Sequence, residues 1–457
     1  MPRDTCQRLS YRRLGVERGD DHGNKRLLQC IFTISAPPAS PMPLSIDMST
    51  KVANRSAGGV VFPAMRWGNN RRMRSFAFIS SNNVWGGSEE LWSLTALVLA
   101  RQGHKISVLK PHINPDYPRL AALVALGAKM NDIHGSRWIP RKLRSALLIF
   151  WPTAWLVMQF CVRVGLRHRP DLIIISQGIN FDGHSLANIC WRMGLPFVLI
   201  SQKAANMYWP SDNDRGKVQA MYMRARAALF VSRENLRQTE EQLGCALPNA
   251  VVVRNPFQAA WTQRNDWPDE ANDYHFVCLA RLDMREKGQD VLLRVLSMPK
   301  WRERPISVRF VGAGHNAKGL EQMAKYLNLT NVRFTGHTDQ PSAVWDDCHG
   351  LILPSHCEGL PLSLVEAMLS ARLAIVTDVG GAREVIEDGT TGFLAEAATV
   401  RHLDEAMERA WTRRTEWRAI GQAAATHIRT LVPADPPSTL ASQLLEMIAQ
   451  QEEAVHA

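Results

Sequence analysis

Two glutamates with seven residues between them, Glu358 and Glu366, lie in the stretch EGLPLSLVEAM, and two cations, Arg281 and Lys287, flank a short polar turn earlier in the chain. Cations on either side of a strand-to-helix turn can neutralise a pyrophosphate, Arg with a planar fork of donors and Lys as a point charge. After Glu358-Gly359-Leu360, Pro361 suits the first position of a helix, and Leu362–Ala371 is apolar on nearly every face. A helix of that composition should be buried, so Glu366 needs a partner, because an unpaired buried carboxylate is costly. The free N–H groups and the dipole at the start of that helix, around Leu362 and Ser363, make an anion site.

The elements that must position these residues read as alternating strands and helices. In the second half, His275–Ala280 is a strand leading into Arg281, Val308–Val311 runs into Gly312, and Val332–Thr335 runs into Gly336. Leu351–Leu353 and Ala374–Thr377 are further buried strands, the second leading to Gly380-Gly381. Helices are expected at Leu403–Arg413 and Glu416–Leu431, then a Pro-rich break (Pro433, Pro436, Pro437) and a last helix at Leu440–Gln450. In the first half, Phe76–Ser80 precedes a loop bearing Gly86 and Gly87, with Ser88 placed to cap the helix Leu91–Arg101, and Ile106–Leu109 follows. This opening lacks a full G-x-G-x-x-G, so it makes no case for a bound dinucleotide. Asp171–Ser176, Phe197–Ser201, Ala228–Val231 and Val251–Val253 continue the strands, with a helix at Arg233–Leu243 and His184 near the start of another. The fold class is α/β: two Rossmann-like domains, 75–256 and 274–432, joined by a linker from Asn255 to about Asp273, with residues 433–457 as a final helix and tail.

The paired glutamates in this strand–turn–helix–strand setting, with TDVGGAREVIEDGTTGFL after them, resemble the signature of the family 4-type retaining glycosyltransferases of GT-B architecture. The Arg281…Lys287-Gly288 turn is similar to that family's diphosphate clamp, and the GGSE loop and RQGHKISVL resemble the start of its acceptor domain. The resemblance implies two domains facing across a cleft, with the last helix crossing back onto the first domain. It implies a nucleoside diphosphate sugar as donor, with no cofactor and no metal. Arg281, Lys287 and the Leu362–Ser363 amides would receive the diphosphate. Glu366 would bond the ribose, Glu358 with the Gly359–Leu360 backbone would orient the sugar, and Gly312 and Gly336 would neighbour the base. Both carboxylates would act as ionised acceptors. No protein nucleophile is evident. The family's histidine has no direct counterpart: Gln177 and Gln202 occupy the strand ends, and His184 is the candidate for its role.

Asp212-Asn213-Asp214 matches the D-x-D of metal-dependent transferases, but it reads as a polar turn after Trp209-Pro210, and the glutamate signature belongs to the metal-independent architecture. The net charge is +11, of which +8 falls in residues 1–74, leaving a poor case for a nucleic-acid-binding surface elsewhere. Residues 1–74 show no sustained periodicity and read as a disordered or non-native extension. The eight cysteines have no paired spacing and read as reduced core thiols. Ala146–Val162 is strongly apolar, with cations on both sides and Pro152 inside, and Trp138, Trp151 and Trp155 nearby. A span here would split a domain, so the readings left are core packing or a helix resting on a membrane surface. The expected place is the cytoplasm, with contact at the inner face of the cell membrane and a glycan or lipid-linked acceptor. The alternatives are a non-catalytic sugar-nucleotide-binding protein and a nucleotide-sugar epimerase of the same architecture.

Overall fold

The computed structural model describes residues 72–83, 85–133, 151–262, 265–268 and 273–456. The proposed disorder of residues 1–74 lies almost wholly outside them, as does the start of the apolar run at Ala146. Long runs of Ile, Val, Leu and Phe, apolar on both faces, build two parallel sheets. The first contains β1 (Ser75–Ser80), β2 (Lys105–Lys110), β3 (Lys129–Asp132), β4 (Leu172–Gln177), β5 (Phe197–Ser201), β6 (Ala228–Phe230) and β7 (Ala250–Val252), in the order β3-β2-β1-β4-β5-β6-β7. The second contains β8 (Tyr274–Leu279), β9 (Ile306–Val311), β10 (Val332–Gly336), β11 (Gly350–Leu353), β12 (Leu373–Thr377) and β13 (Phe393–Ala395), in the order β10-β9-β8-β11-β12-β13.

Strand order reverses between β1 and β4 in one sheet and between β8 and β11 in the other. Ligands of open α/β sheets sit outside the carboxyl ends of the strands at such reversals. Arg281 follows β8, and Ser355–Leu360 follow β11, so the second reversal lies between the segments that carry the clamp and Glu358. The helix Pro436–His456 crosses from the second domain to the first, where Leu440, Ala441, Leu444 and Ile448 join the core around Phe76, Leu91 and Leu97.

Several local expectations change. The first helix begins at Gly87 with Gly86 as its cap, and Ser88 lies inside the first turn, accepting from Asn82 Nδ2. The helix after Glu358 runs over Leu362–Leu369 with Pro361 as its cap, and it stops short of Ala371, which turns at a φ of 55°. Asp212 and Asp214 are in the first turn of the helix Asp212–Arg224 rather than in a loop, because acidic residues favour that end of the dipole. Pro436 and Pro437 open the last helix instead of breaking the chain before it, since Pro lacks only an N–H that the first turn leaves free. The helix Pro118–Ala125 and the polar edge strand β3 carry too little periodicity to be read from sequence.

Candidate active site

The short helix Met284–Lys287 ends at Gly288, which has a φ of 60°. A Cβ there would lie 2.1 Å from the Pro354 carbonyl oxygen, so the Lys-Gly pair is what lets this turn press against the loop after β11. That contact aims Lys287 at Glu358: its Nζ donates to Oε2 at 2.7 Å, while Ser355 Oγ donates to Oε1 at 2.7 Å. Glu358 is only 8% exposed. Arg281 Nη2 donates to Glu286 Oε2 at 2.7 Å. Arg281 and Lys287 are thus each held by a carboxylate.

Glu366 is 4% exposed, and its Oε1 accepts from the Gln258 backbone N–H at 2.9 Å, a partner supplied by the interdomain linker. Burial pushes its carboxyl up to about 7, against the opposing pull of that single hydrogen bond. Burial thus favours the protonated form of Glu366, which bears against the expectation of an ionised acceptor. Leu360 packs into the second core, so its backbone is what remains for a ligand. Leu362 and Ser363 are half-buried at the helix start, and a Cβ on Gly87 would lie 3.3 Å from Leu362 Cδ1, which brings the glycine loop of the first domain to that N-terminus. No atom would meet a Cβ on Gly86 within 4 Å. Gly312 and Gly336 sit together after β9 and β10, joined by a 2.7 Å hydrogen bond from Gly312 N to Gly336 O, and Gly312 faces the carbonyl of Ala280 beside Arg281.

The two domains touch at this place. A Cβ on Gly359 would lie 2.2 Å from the Gln202 carbonyl oxygen and 2.8 Å from Val231 Cγ2, so a side chain there would wedge the domains apart. Lys203 Nζ, from the loop after β5, donates to Glu286 Oε1 at 2.6 Å, and Tyr208 OH approaches the same oxygen at 3.4 Å. Arg254 pairs with Glu384 at 3.1 Å, and Glu384 Oε1 also accepts from the Glu234 backbone N–H. Cys357 lies among these groups, but burial pushes its thiol up to about 12, far from a thiolate nucleophile at neutral pH.

His184 is half-buried at the start of its helix, where its Nε2 meets Ser185 Oγ at 3.3 Å. Its recorded contacts do not join it to Glu358. Gln177 is fully buried and braces its own loop through the Asp182 carbonyl. Gln202 bonds Asn255 at 2.9 Å and leaves its Nε2 buried without a partner. Asp212 and Asp214 pair with Arg215 and Lys217, each at 2.7 Å, and no cluster able to hold a metal occurs among the described residues.

Sequence reasoning missed the partners. Glu89, fully buried, takes Ser80 Oγ at 2.8 Å and Asn82 Nδ2 at 2.9 Å and pairs with Lys110 at 3.1 Å, which fixes the loop between β1 and the first helix. Lys203, Tyr208 and Glu286 form the interdomain cluster, and Gln258 serves Glu366. A charged residue inside an otherwise buried strand, as Lys110 is, was the one signal available for these.

Residues 273–413 match the family described as Glycosyl transferases group 1. An uncharacterized glycosyltransferase of Methanocaldococcus jannaschii is 28% identical over 135 residues, 29% of this chain and 37% of that relative. The poly(ribitol-phosphate) alpha-N-acetylglucosaminyltransferase of Staphylococcus aureus is 29% identical over 119 residues, 26% of this chain and 24% of the relative. The chain therefore spans well under half the length of these curated relatives. Among solved structures, Anabaena HepE in complex with UDP-glucose superposes with a TM-score of 0.64 at 17% identity, covering 82% of this chain and 99% of that one. Sucrose-phosphate synthase from Thermosynechococcus elongatus gives 0.62 at 14% identity, covering 83% of this chain and 100% of the other. Residues 273–413 thus match a group 1 glycosyltransferase domain, and the chain has the two-domain GT-B fold.

Proposed function

We propose that this chain transfers a hexosyl-type sugar from a nucleoside diphosphate sugar to a glycan or lipid-linked acceptor, with retention at the anomeric carbon, in the manner of the family 4 enzymes. The observation that carries this reading is the pair of cations, Arg281 and Lys287, held by carboxylates at the strand-order reversal of the second sheet, beside the N-terminus of Leu362–Leu369. A diphosphate entering there displaces Glu358 from Lys287 and takes donors of Arg281 other than the Nη2 group that Glu286 holds, so the charge developing on the leaving group meets donors already in place. Glu358, released from Lys287 but still held by Ser355, faces the sugar hydroxyls, and Glu366 takes the ribose. Departure and attack on one face of the sugar need no protein nucleophile, which agrees with the inert Cys357. His184 keeps no assigned part in this scheme.

The test is product formation from a panel of nucleoside diphosphate sugars with glycan and polyprenyl-linked acceptors. Free nucleoside diphosphate and a lengthened acceptor should appear together, and turnover should survive EDTA because protein cations and helix N–H groups neutralise the diphosphate. A panel in which no donor is consumed would overturn the reading. Activity lost to EDTA and restored by magnesium or manganese would overturn the metal-independent step.

The acceptor side of the reading includes a membrane surface. On the helix Trp151–Gly165, Leu156 and Phe160 stand one turn apart, 57% and 66% exposed, and Arg163, Arg167 and Arg169 follow as exposed cations. The sequence contains no Asp or Glu between Asp132 and Asp171. Exposed Trp191 and Met223 lie on the next two helices, with the Arg224 guanidinium 3.7 Å over the Trp191 ring. No helix among the described residues is long and apolar enough to cross a bilayer, so contact would be peripheral. Replacing Leu156 and Phe160 together by glutamate should lower flotation with anionic vesicles by about tenfold or more, since each apolar side chain is worth roughly 1.5–3 kcal/mol when fully buried. Equal flotation of the variant and the parent would remove this helix from the membrane face.

A further inference from the structure

Glu286 joins three segments around the site: Arg281, the loop after β5 and the loop after β11. Its Oε2 holds Arg281 at 2.7 Å, and its Oε1 takes Lys203 from the other domain at 2.6 Å, with Tyr208 OH at 3.4 Å. Its backbone carbonyl accepts from the N–H groups of His356 at 2.9 Å and Cys357 at 3.2 Å, immediately before Glu358. The Lys203 and Glu286 side chains are 16% and 13% exposed, so the pair is shielded from most of the solvent and screened little by salt. Burial alone would raise the Glu286 carboxyl, but Lys203, Arg281 and Lys287 hold it below the usual carboxylate range, so it is ionised at neutral pH.

Lys203 is itself held from beneath. Its carbonyl accepts from Asn180 N at 2.9 Å, and Gln242 Nε2 donates to both Ala205 O and Tyr208 O at 2.9 Å. Gln242 Oε1 in turn takes Asn180 Nδ2 at 2.8 Å, and Asn180, Ala205 and Gln242 are buried while Lys203 and Tyr208 are half-buried. The loop that presents Lys203 is thus tied by hydrogen bonds to the interior of the first domain. Arg254, two residues beyond β7 where the chain leaves that domain, makes the other interdomain ion pair among the described residues, with Glu384. The Lys203–Glu286 pair joins the two domains directly, so it is lost in any arrangement that separates the loop after β5 from the helix Met284–Lys287.

We propose that Lys203 and Glu286 are positioning residues that latch the two domains, and that Glu286 relays the latch to Arg281 through its carboxylate and to Glu358 through the carbonyl that holds the His356 and Cys357 amides. The donor domain then has its clamp aligned only while the acceptor domain is docked on it. A donor bound in the open arrangement is not spent on water, because Arg281 and Glu358 come into register when Lys203 arrives. This rests on the nucleoside diphosphate sugar reading for its kinetic consequences, but the Lys203–Glu286 contact itself is testable without a donor.

The experiment compares full-length protein with Lys203→Met, Lys203→Arg, Glu286→Gln and the Lys203→Met/Glu286→Gln pair. Without ligand, amide hydrogen exchange should quicken in the 354–360 segment of Lys203→Met, although the substitution is in the other domain, while core strands β4 and β11 keep their protection. In transfer assays, Lys203→Met should lose ten- to a hundredfold in kcat with donor affinity by calorimetry within threefold of the parent. Lys203→Arg should recover most of that loss. The double variant should be no worse than the more impaired single one, as expected for two residues acting as one unit. Unchanged exchange at 354–360 in Lys203→Met overturns the latch whether or not the protein transfers sugar. A donor affinity that falls in step with kcat assigns Lys203 to the donor directly and overturns it as well, as does a double variant whose losses multiply. If the parent consumes no donor but the exchange result holds, the latch stands and the proposed reaction is what fails.

Discussion

Lys287→Ala should lower sugar transfer by at least a hundredfold, and Arg281→Ala by a similar factor. Each removes a preorganised charge-assisted contact to the leaving diphosphate, and loss of one such donor costs about 2.7–4 kcal/mol of barrier in comparable sites. The two variants should differ in what else they disturb. Lys287 Nζ is the cation on Glu358, which is nearly buried, so Lys287→Ala leaves that carboxylate with Ser355 as its remaining recorded partner. A lower melting temperature should accompany the lost activity, and a Lys287→Met/Glu358→Gln pair should regain stability without regaining turnover, because an unpaired buried charge costs more than the ion pair was worth. Arg281 is more than half exposed as a side chain, so Arg281→Ala should melt near the parent temperature. Lys287→Arg keeps the charge but replaces a compact ammonium by a planar fork, and should recover only part of the rate. Initial rates at saturating acceptor, with melting curves on the same preparations, separate these effects. Near-parental turnover in both alanine variants would remove the clamp from its assigned place.

What the sequence made legible about this site was local. The Arg281…Lys287-Gly288 turn and the Glu358…Glu366 spacing each sit inside one strand–turn–helix unit, where apolar runs and glycines announce the backbone path. The alternation of those runs was enough for two parallel sheets and for most helix positions. What stayed hidden was pairing over distance. Lys203 and Glu286 are 83 positions apart and come from different domains, and Glu89 at the start of the first helix meets Lys110 at the end of β2. A surface lysine and a buried latch look the same in one dimension. Local ends misled for a related reason: Ser88 is a good cap by type, but the helix begins one residue before it because Gly86 takes the extended cap conformation. The Asp212–Asp214 triplet has the composition of a turn, yet its two acids serve the first turn of a helix and pair with cations on that helix. Glu366 is the mixed case. Its burial was legible from the apolar helix around it, whereas its partner, a linker amide, was not.

That partner is too weak to keep Glu366 ionised, which leads to a pH dependence with a definite sign. An ordinary glutamate carboxyl titrates near 4.5, and burial raises this one to about 7 with one backbone hydrogen bond in opposition. A carboxyl raised to about 7 is in part protonated at neutral pH. If Glu366 accepts hydrogen bonds from ribose hydroxyls, the ionised form binds the donor and the protonated form must first lose its proton. Donor affinity should be level above about pH 8 and should fall toward tenfold per unit below pH 6, with up to about 1.4 kcal/mol lost per unit. Binding at pH 7 should release about half a proton per site, read from calorimetric enthalpies in buffers of different ionisation heat. The same shift acts on folding in the opposite direction. A raised carboxyl pKa means the folded chain binds the extra proton between about 4.5 and 7, so this group's contribution to stability is greatest below that window and declines as pH rises through it. Glu366→Gln should bind donor more weakly at pH 8, should show no dependence on this titration, and should release no proton from this site. A pH-independent parent affinity between 6 and 8, or a profile that survives unchanged in Glu366→Gln, would separate this carboxylate from the ribose. The substitution also reports on the domain linker, since the amide that holds Glu366 belongs to Gln258: loss of the carboxylate's charge weakens the bond between the donor-side helix and the chain that joins the two domains.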